Sequence, residues 1–368
     1  MIRIYSSLFV VFLVFTSMAC VEKKSTENEV DKTEFTSTRK SNQFDFTSGV
    51  HSMLQDSKGN YWFGNRQEGL CRYNGKEYEY FTASDGLLDN FVFTIQEDVN
   101  GTVWVQTSLG INGIANGQIK KHTFESAHSG WNRKNENSSA STWEKTSNDL
   151  WFSADVLKGV YRFDGQHLSY IAFPSLETND PLTYAVSCIA YGNNNNVWIG
   201  AYSHVFGFDG SQLTIINDQK LGYSKELDLI HVRSILEDSK GRLWLGNNGI
   251  GVLLKEDSTF INFSKQQGHF IPSEEFHQNT LSKHFEKNTG LQSVFAIQED
   301  HEGNIWFGDR DSGTWKYDGK QLTNYKIDTT LKSQMIKFIY RDNGNKLWFG
   351  MDGGEVYQLL DGSFKKWN

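Results

Sequence analysis

One phrase recurs along this chain and limits what it can fold into: an apolar strand, an acidic-x-x-Gly turn, then a strand centred on tryptophan. It reads Gln55-Asp56-Ser57-Lys58-Gly59-Asn60-Tyr61-Trp62-Phe63-Gly64 and returns at 97–104, 237–246, 299–308 and 341–350. Weaker copies centre on Trp151 and Trp198. The seven tryptophans of these copies, out of eleven in the chain, are 62, 104, 151, 198, 244, 306 and 348, spaced by 42, 47, 47, 46, 62 and 42 residues. A fixed period of this size means stacked supersecondary units rather than one irregular core. About a dozen residues after most of these tryptophans comes an Asn-Gly or Asp-Gly pair between two apolar runs. The pairs are Asn74-Gly75, Asn116-Gly117, Asp164-Gly165, Asp209-Gly210, Asp318-Gly319 and Asp361-Gly362. Such pairs tolerate the positive φ angles of two-residue hairpin turns. The fifth repeat has Glu256-Asp257 instead.

Each repeat therefore predicts four short antiparallel strands, and seven of them predict an all-β, seven-bladed β-propeller of four-stranded antiparallel blades. A single blade cannot bury both faces, whereas a closed ring can, and the repeated tryptophans would sit between blades. The three prolines, 174, 181 and 272, all fall between repeats, as a residue without an N–H must in a sheet protein. Cys71 falls on the third strand of repeat one and Cys188 near the first strand of repeat four. Those blades stand nearly opposite, too far apart for a disulfide, so two unpaired thiols are expected. Phe44-Asp45-Phe46 is a candidate for an added strand that helps close the ring.

The first twenty residues read differently. Arg3, an apolar run over 8–15, and Ser17-Met18-Ala19-Cys20 follow the order of a secretory signal with a small-residue cleavage site. Cys20 stands where a bacterial lipobox places its lipidated cysteine. Residues 1–19 are thus expected to be a lipoprotein signal peptide, 20–43 a lipid-anchored flexible tether, polar enough to stay unpacked, and 44–368 the propeller. Val21 after Cys20 is not the aspartate that commonly retains lipoproteins at the inner membrane, so the outer membrane is the expected location. The chain carries a formal charge of -8 and no basic stripe, which argues against nucleic acid as a partner.

The phrase Ile/Leu-x-Glu-Asp-x-x-Gly-x-x-Trp-Phe/Leu-Gly, followed by Gly-x-x-x-Tyr-Asp-Gly, resembles the two-component regulator propeller repeat. Ser84-Asp85-Gly86-Leu87-Leu88-Asp89-Asn90 is similar to that family's linker between blades. The resemblance covers residues 49 to 367 and is weakest in repeats three and four. It implies a propeller of the extracytoplasmic sensing kind found in hybrid histidine kinases, often linked to polysaccharide use. This sequence has half the blade number usual in that family and no kinase segment after its repeats, so it implies sensing or binding without a signalling output of its own. The repeat also resembles that of streptogramin lyases, though without their recurring Pro-x-Gly.

Propellers generally bind at the channel mouth, on the face carrying the loops between blades and between second and third strands. That places Arg66, Glu68, Asn90, Trp131, Tyr202, His204, His231, Asn247, Arg310, Asp311 and Asp352 on one candidate ligand-binding face. Gln67, Ser203, Asn248, Asp155 and Gln334 would join them. Two insertions, 125–141 with Trp131 and 264–290, lengthen loops on that face. The second holds His269, His277 and His284. Zinc pairs on helices stand four apart rather than seven, and no third ligand has suitable spacing, so neither a metal nor a cofactor is expected. The Asp-x-x-Gly turns offer too few carboxylates for calcium and are expected to shape hairpins instead. No catalytic constellation is legible, although an acid pair drawn from distant blades, such as Glu68 with Asp311, remains open. Three functions follow: a lipid-anchored propeller that binds or senses a small molecule or oligosaccharide, a protein-interaction scaffold of the envelope, or a metal-dependent lyase-like or glycan-active enzyme.

Overall fold

The structure is a computed structural model; the residues it describes are 33–124, 143–154, 157–176, 181–217, 219–221, 230–270 and 290–368. It is all-β: seven antiparallel sheets follow one another along the chain. Blade six is representative. Its strands are Val294–Glu299, Ile305–Asp309, Gly313–Tyr317 and Leu322–Tyr325, each paired to the next. The inner strands of successive blades pack side by side, and that of blade seven (Ile336–Arg341) returns to that of blade one (Val50–Gln55). The ring is therefore closed.

The repeated phrase holds each blade in two ways. In blade six, Oδ1 of Asp300 accepts from the N–H groups of Glu302 and Asn304, which shapes the turn. Its Oδ2 accepts from the buried Trp306 indole at 2.8 Å. Asp56, Asp98, Asp238 and Asp342 bond Trp62, Trp104, Trp244 and Trp348 at 2.8–2.9 Å in the same way. Blade four lacks that aspartate, and Glu237 of blade five accepts from Trp198 instead. Each tryptophan then packs across a blade junction: Trp104 lies 4.2 Å from Phe163, Trp244 5.6 Å from Phe307 and Trp306 5.6 Å from Phe349. Seven hydrophobic clusters result, one per junction, with one repeat tryptophan in each. The glycine two residues after the tryptophan makes room for the next blade. A Cβ on Gly308 would lie 2.6 Å from Ile336 Cγ2, and one on Gly64 2.6 Å from Val92 Cγ1.

Four expectations need correction. The tether is shorter than 20–43: Thr33–Glu34 pairs with Gln118–Thr123, the outer strand of blade two, and Arg39–Ser41 pairs with Tyr78–Phe81, the outer strand of blade one. Outer strands offer unpaired backbone groups that a polar segment can satisfy without an apolar face. The single anchor Phe35 stacks on Phe81 at 4.2 Å. Phe44-Asp45-Phe46 forms no strand. Its two rings instead enter the closing cluster with Phe63, Tyr78 and Trp348. Among the described residues no strand is shared between first and last blades; Tyr340 Oη accepts from Gln55 N, and Tyr61 Oη donates to Asp342.

The other two corrections concern turns and blade three. Only Asn116-Gly117 and Asp361-Gly362 have positive φ at both residues. At Asn74, Asp164, Asp209 and Asp318 the turn is four residues long, and the side chain caps two following N–H groups. Among the described residues blade three has three strands, Leu150–Ser153, Gly159–Phe163 and Leu168–Ala172. Trp143 lies outside any strand and stacks on Trp151. Side chains of the flanking blades meet the open edge. Gln96 and Gln106 donate to the carbonyls of Trp151 and Ser153, and Tyr191 Oη accepts from Trp151 N. Cys71 and Cys188 are both unpaired.

Candidate functional site

Inner strands line the axis of the ring, and six of the seven blades share one device there. In the inner strand of each, the register to the second strand skips a single residue two positions in. The skipped residues are His51, Phe93, Ser187, Arg233, Phe295 and Lys337. A bulge of this kind turns the extra side chain out of the sheet's alternation. The residues before them, such as Val50, Val232 and Ile336, are wholly buried between blades. The bulged residues themselves are half-buried, or exposed in the case of Ser187. The fold thus takes one variable side chain in each of these six inner strands out of the sheet's alternation, from an invariant frame.

These side chains and the loop residues around them form a basic, aromatic rim. The Arg66 guanidinium lies 5.6 and 5.5 Å from the rings of Phe91 and Phe93. Arg233 lies 5.0 Å from the Phe295 ring. Burial and the positive charges of Arg66 and Arg310 push the Arg233 pKa down. Arg66 belongs to blade one and Arg233 to blade five, and the charge of the one is among the causes that lower the other. The Arg233 Nε is buried and has no hydrogen-bond partner. Lys337 pairs with Asp352 at 2.7 Å. His51 is lowered to about 4 by burial and by the charges of Arg66 and Lys337, against the opposing pull of Asp352. His231 is lowered to about 4 by burial and by Arg233, and its ring lies 3.9 Å from that of Tyr202. Both imidazoles are therefore neutral at pH 7.

The loop residues singled out in the sequence divide into two groups. Arg66, Tyr202, His231, Arg310, Asp311 and Asp352 belong to this rim. Arg310 grips Asp311 through Nε and Nη2 at 2.9–3.1 Å and reaches Asn248 through Nη1. His204 opens the third strand of blade four and its Nδ1 bonds Ser203. Glu68, Asn90 and Asn247 serve the loops themselves. Glu68 Oε1 accepts from the backbone N–H groups of Thr47 and Ser48. Asn90 Oδ1 accepts from Ala83 N. Asn247 is fully buried and donates to the carbonyls of Leu245 and Gly251. Glu68 and Asp311 are each engaged within their own blades. Trp131, Asp155, His277, His284 and Cys20 lie outside the described residues. His269 packs 4.7 Å from Trp315. No group of three or more His, Cys, Asp or Glu among the described residues is placed to hold a metal ion.

Two kinds of residue were missed in the sequence. Asp309, fully buried, accepts from the N–H groups of Gln292, Ser293, Asp311 and Ser312 and thereby sets the Arg310 loop. Asn65 plays the same part in blade one, accepting from Gln67 and Glu68. The bulged residues were missed as a set. The available signal was a polar or aromatic residue after the first Val or Ile of each inner strand.

Ring, repeat and rim together define a seven-bladed β-propeller with a variable channel mouth. The chain carries two-component regulator propeller repeats: the family model described as Two component regulator propeller matches residues 86–108, 227–249 and 290–311. Those segments include the bulged inner strands and second strands of blades two, five and six. Among solved structures, the chain is similar to the extracellular domain of a protein described as a hybrid two component system from B. thetaiotaomicron. The two are 21% identical with TM-score 0.61 over 86% of this chain and 39% of that one. A domain described as that of a one component system from the same organism gives 19%, 0.57, 87% and 40%. Virginiamycin B lyase from Staphylococcus aureus gives 17%, 0.60, 86% and 97%. At these identities the likeness is one of fold. The chain spans about two fifths of the B. thetaiotaomicron domains it matches. No curated protein matches it in sequence. No described helix is long and apolar enough to cross a membrane.

Proposed function

We propose that this chain is an extracytoplasmic, lipid-anchored binding or sensing propeller that holds a small molecule or oligosaccharide at its channel mouth. The observation that carries the reading is the six bulged positions. They share one backbone geometry yet hold six placements of His, Phe, Ser, Arg, Phe and Lys. A frame that presents varied side chains to one point is what a binding site needs, and a purely structural position would repeat its residue as the tryptophans do. Aromatic rings and hydrogen-bonding groups side by side suit a sugar or another polar ring. The fold shared with extracellular domains of two component and one component systems agrees with this reading, and Cys20, directly after the leader 1–19, carries the anchor.

The test is a thermal-shift screen of the full chain against oligosaccharides and small polar solutes, with and without chelator. A ligand at 100 times its Kd adds roughly 2.7 kcal/mol of stability. The expected result is a compound-specific shift that persists in chelator and is lost when Tyr202 or Arg66 is replaced. Shifts that require a metal would favour the enzyme reading instead. For the anchor, Cys20→Ala should move the chain from the membrane fraction to the soluble one; an unchanged distribution would contradict lipidation.

A further inference from the structure

An asparagine followed by glycine can rearrange with no reagent but water. The glycine amide nitrogen attacks the asparagine side-chain carbonyl, and the missing Cβ of glycine leaves that approach open. The chain holds six such pairs, beginning at Asn74, Asn100, Asn112, Asn116, Asn248 and Asn343. The attack needs a glycine N–H that is not hydrogen-bonded and an asparagine side chain able to turn toward it.

Five of the pairs fail one of these conditions. Asn74 Oδ1 accepts from Lys76 N and Glu77 N, both at 3.0 Å. Asn112 is fully buried, with Oδ1 accepting from Leu88 N and Nδ2 donating to the Val105 carbonyl. Gly101 N donates to the Asp98 carbonyl, and Gly344 N to Asp342 Oδ1. At Asn248 both groups are engaged: Gly249 N donates to the Gln292 carbonyl, and Asn248 Oδ1 accepts from Arg310. Asn116 differs. It and Gly117 form the exposed tip of the hairpin between Gly110–Ala115 and Gln118–Thr123, with φ of 51° and 70°. Among the described residues neither the Asn116 side chain nor the Gly117 N–H has a hydrogen-bond partner.

This tip also carries the N-terminal segment. The Gly117 carbonyl accepts from Phe35 N at 2.8 Å, Glu34 pairs with Gln118, and Phe35 stacks on Phe81. A two-residue turn holds its register only with the standard number of backbone atoms.

We propose that Asn116 is a site of spontaneous covalent modification, converting through a cyclic imide with Gly117 to isoaspartate, and that the conversion releases residues 33–35 from the edge of blade two. The bond from Gly117 N to Asn116 Cγ forms as the Cγ–Nδ2 bond breaks. The side-chain nitrogen leaves as ammonia, taking up the proton that Gly117 N loses. Water then opens the ring at Cγ, giving aspartate, or at the backbone carbonyl, giving isoaspartate. Ammonia is exchanged for water and nothing is oxidised or reduced. In isoaspartate the backbone runs through Cβ and Cγ, so one extra atom enters the turn and the Gly117 carbonyl leaves its place under Phe35. The site is independent of the binding reading above.

The experiment is incubation of the full chain at mildly alkaline pH, followed by peptide mapping by mass spectrometry with enzymatic labelling of isoaspartate. An unfolded peptide of residues 111–122 serves as the control for intrinsic rate. Isoaspartate is expected at residue 116 several-fold faster than at any of the other five asparagines. Conversion first at another pair would overturn the assignment, as would an intact Asn116 once the peptide has converted. Hydrogen exchange is then compared between fresh wild type, the converted fraction and freshly prepared Asn116→Asp, which adds the charge without the extra atom. Faster exchange over residues 33–36 is expected in the converted fraction alone. Unchanged protection in that fraction would overturn the release of the segment, and an equal loss in Asn116→Asp would overturn the role given to the extra backbone atom.

Discussion

The acidic residue of the repeat divides its work between two oxygens, one closing a turn and the other holding an indole N–H between blades. Removing it should therefore cost more than a surface turn residue would. Asp300→Ala leaves the buried Trp306 N–H and two backbone N–H groups without their acceptor. We expect a loss of about 1–3 kcal/mol in urea unfolding, with Asp300→Asn retaining part of it. A loss under a few tenths would contradict the assignment. Three histidines set a pH dependence. His51, His122 and His231 are each held at about 4, by burial first and then by the charges of Arg66 and Lys337, of Lys120 and of Arg233 respectively. A base whose folded pKa lies below its unfolded value binds fewer protons when folded, so stability is full above the unfolded value of 6.5 and falls as pH drops from there toward 4. Thermal midpoints measured across that window should decline. The decline should shrink in His122→Gln, which lies away from the rim.

At the scale of strands and blades, the bulge is the element that converts a structural repeat into a site. It was missed in the sequence because His, Phe, Ser, Arg, Phe and Lys share no residue type, only a place after the first Val or Ile of the strand. A single skipped residue also leaves the apolar pattern on either side intact. The tryptophan strands were legible for the opposite reason: each junction makes the same demand, so the same residue returns. The Asn-Gly and Asp-Gly pairs revealed hairpins but not their loop length, which the register of the flanking strands decides. Loop position alone put Arg66, Arg310 and Asp352 in one group with Asn247 and Glu68, which have the same polarity but spend it on backbone groups. Blade three shows how side chains meet the edge of its three described strands. Gln106 supplies its side-chain N–H to the Ser153 carbonyl at 2.7 Å from within a buried position. Gln106→Leu should destabilise the protein by about 1–2 kcal/mol, with hydrogen exchange quickened in blade three before the others. Uniform quickening would contradict the role given to it. The polar segment 33–41 was misjudged because low hydrophobicity signals disorder only where no sheet edge is on offer. Deleting residues 1–42 should lower the thermal midpoint, and an unchanged midpoint would mean these strands add nothing.

On the scale of the whole molecule, the ring closes by side chains rather than by a shared strand. Trp367 packs against Trp348 and Tyr73, and Tyr78 Oη donates to the carbonyl of Asn368, so the last residues of the chain seal the seam to blade one. The closed ring holds the inner strands of six blades, among the described residues, around one axis, and that rigidity fixes the side chains they carry relative to one another. Circular closure was legible as seven repeats; its mechanism was not, because the aromatic residues at the two ends carry no mark of being neighbours. The account stands or falls on whether the mouth is where a ligand sits. The direct measurement is hydrogen exchange by mass spectrometry on the full chain, with and without the compound that gives the largest thermal shift. Protection is expected in the segments that begin the inner strands, around His51, Arg233 and Lys337, and in the loops carrying Arg66 and Arg310. Protection confined to the outer strands, or to the turns on the opposite face around Asp56 and Asp300, would contradict it.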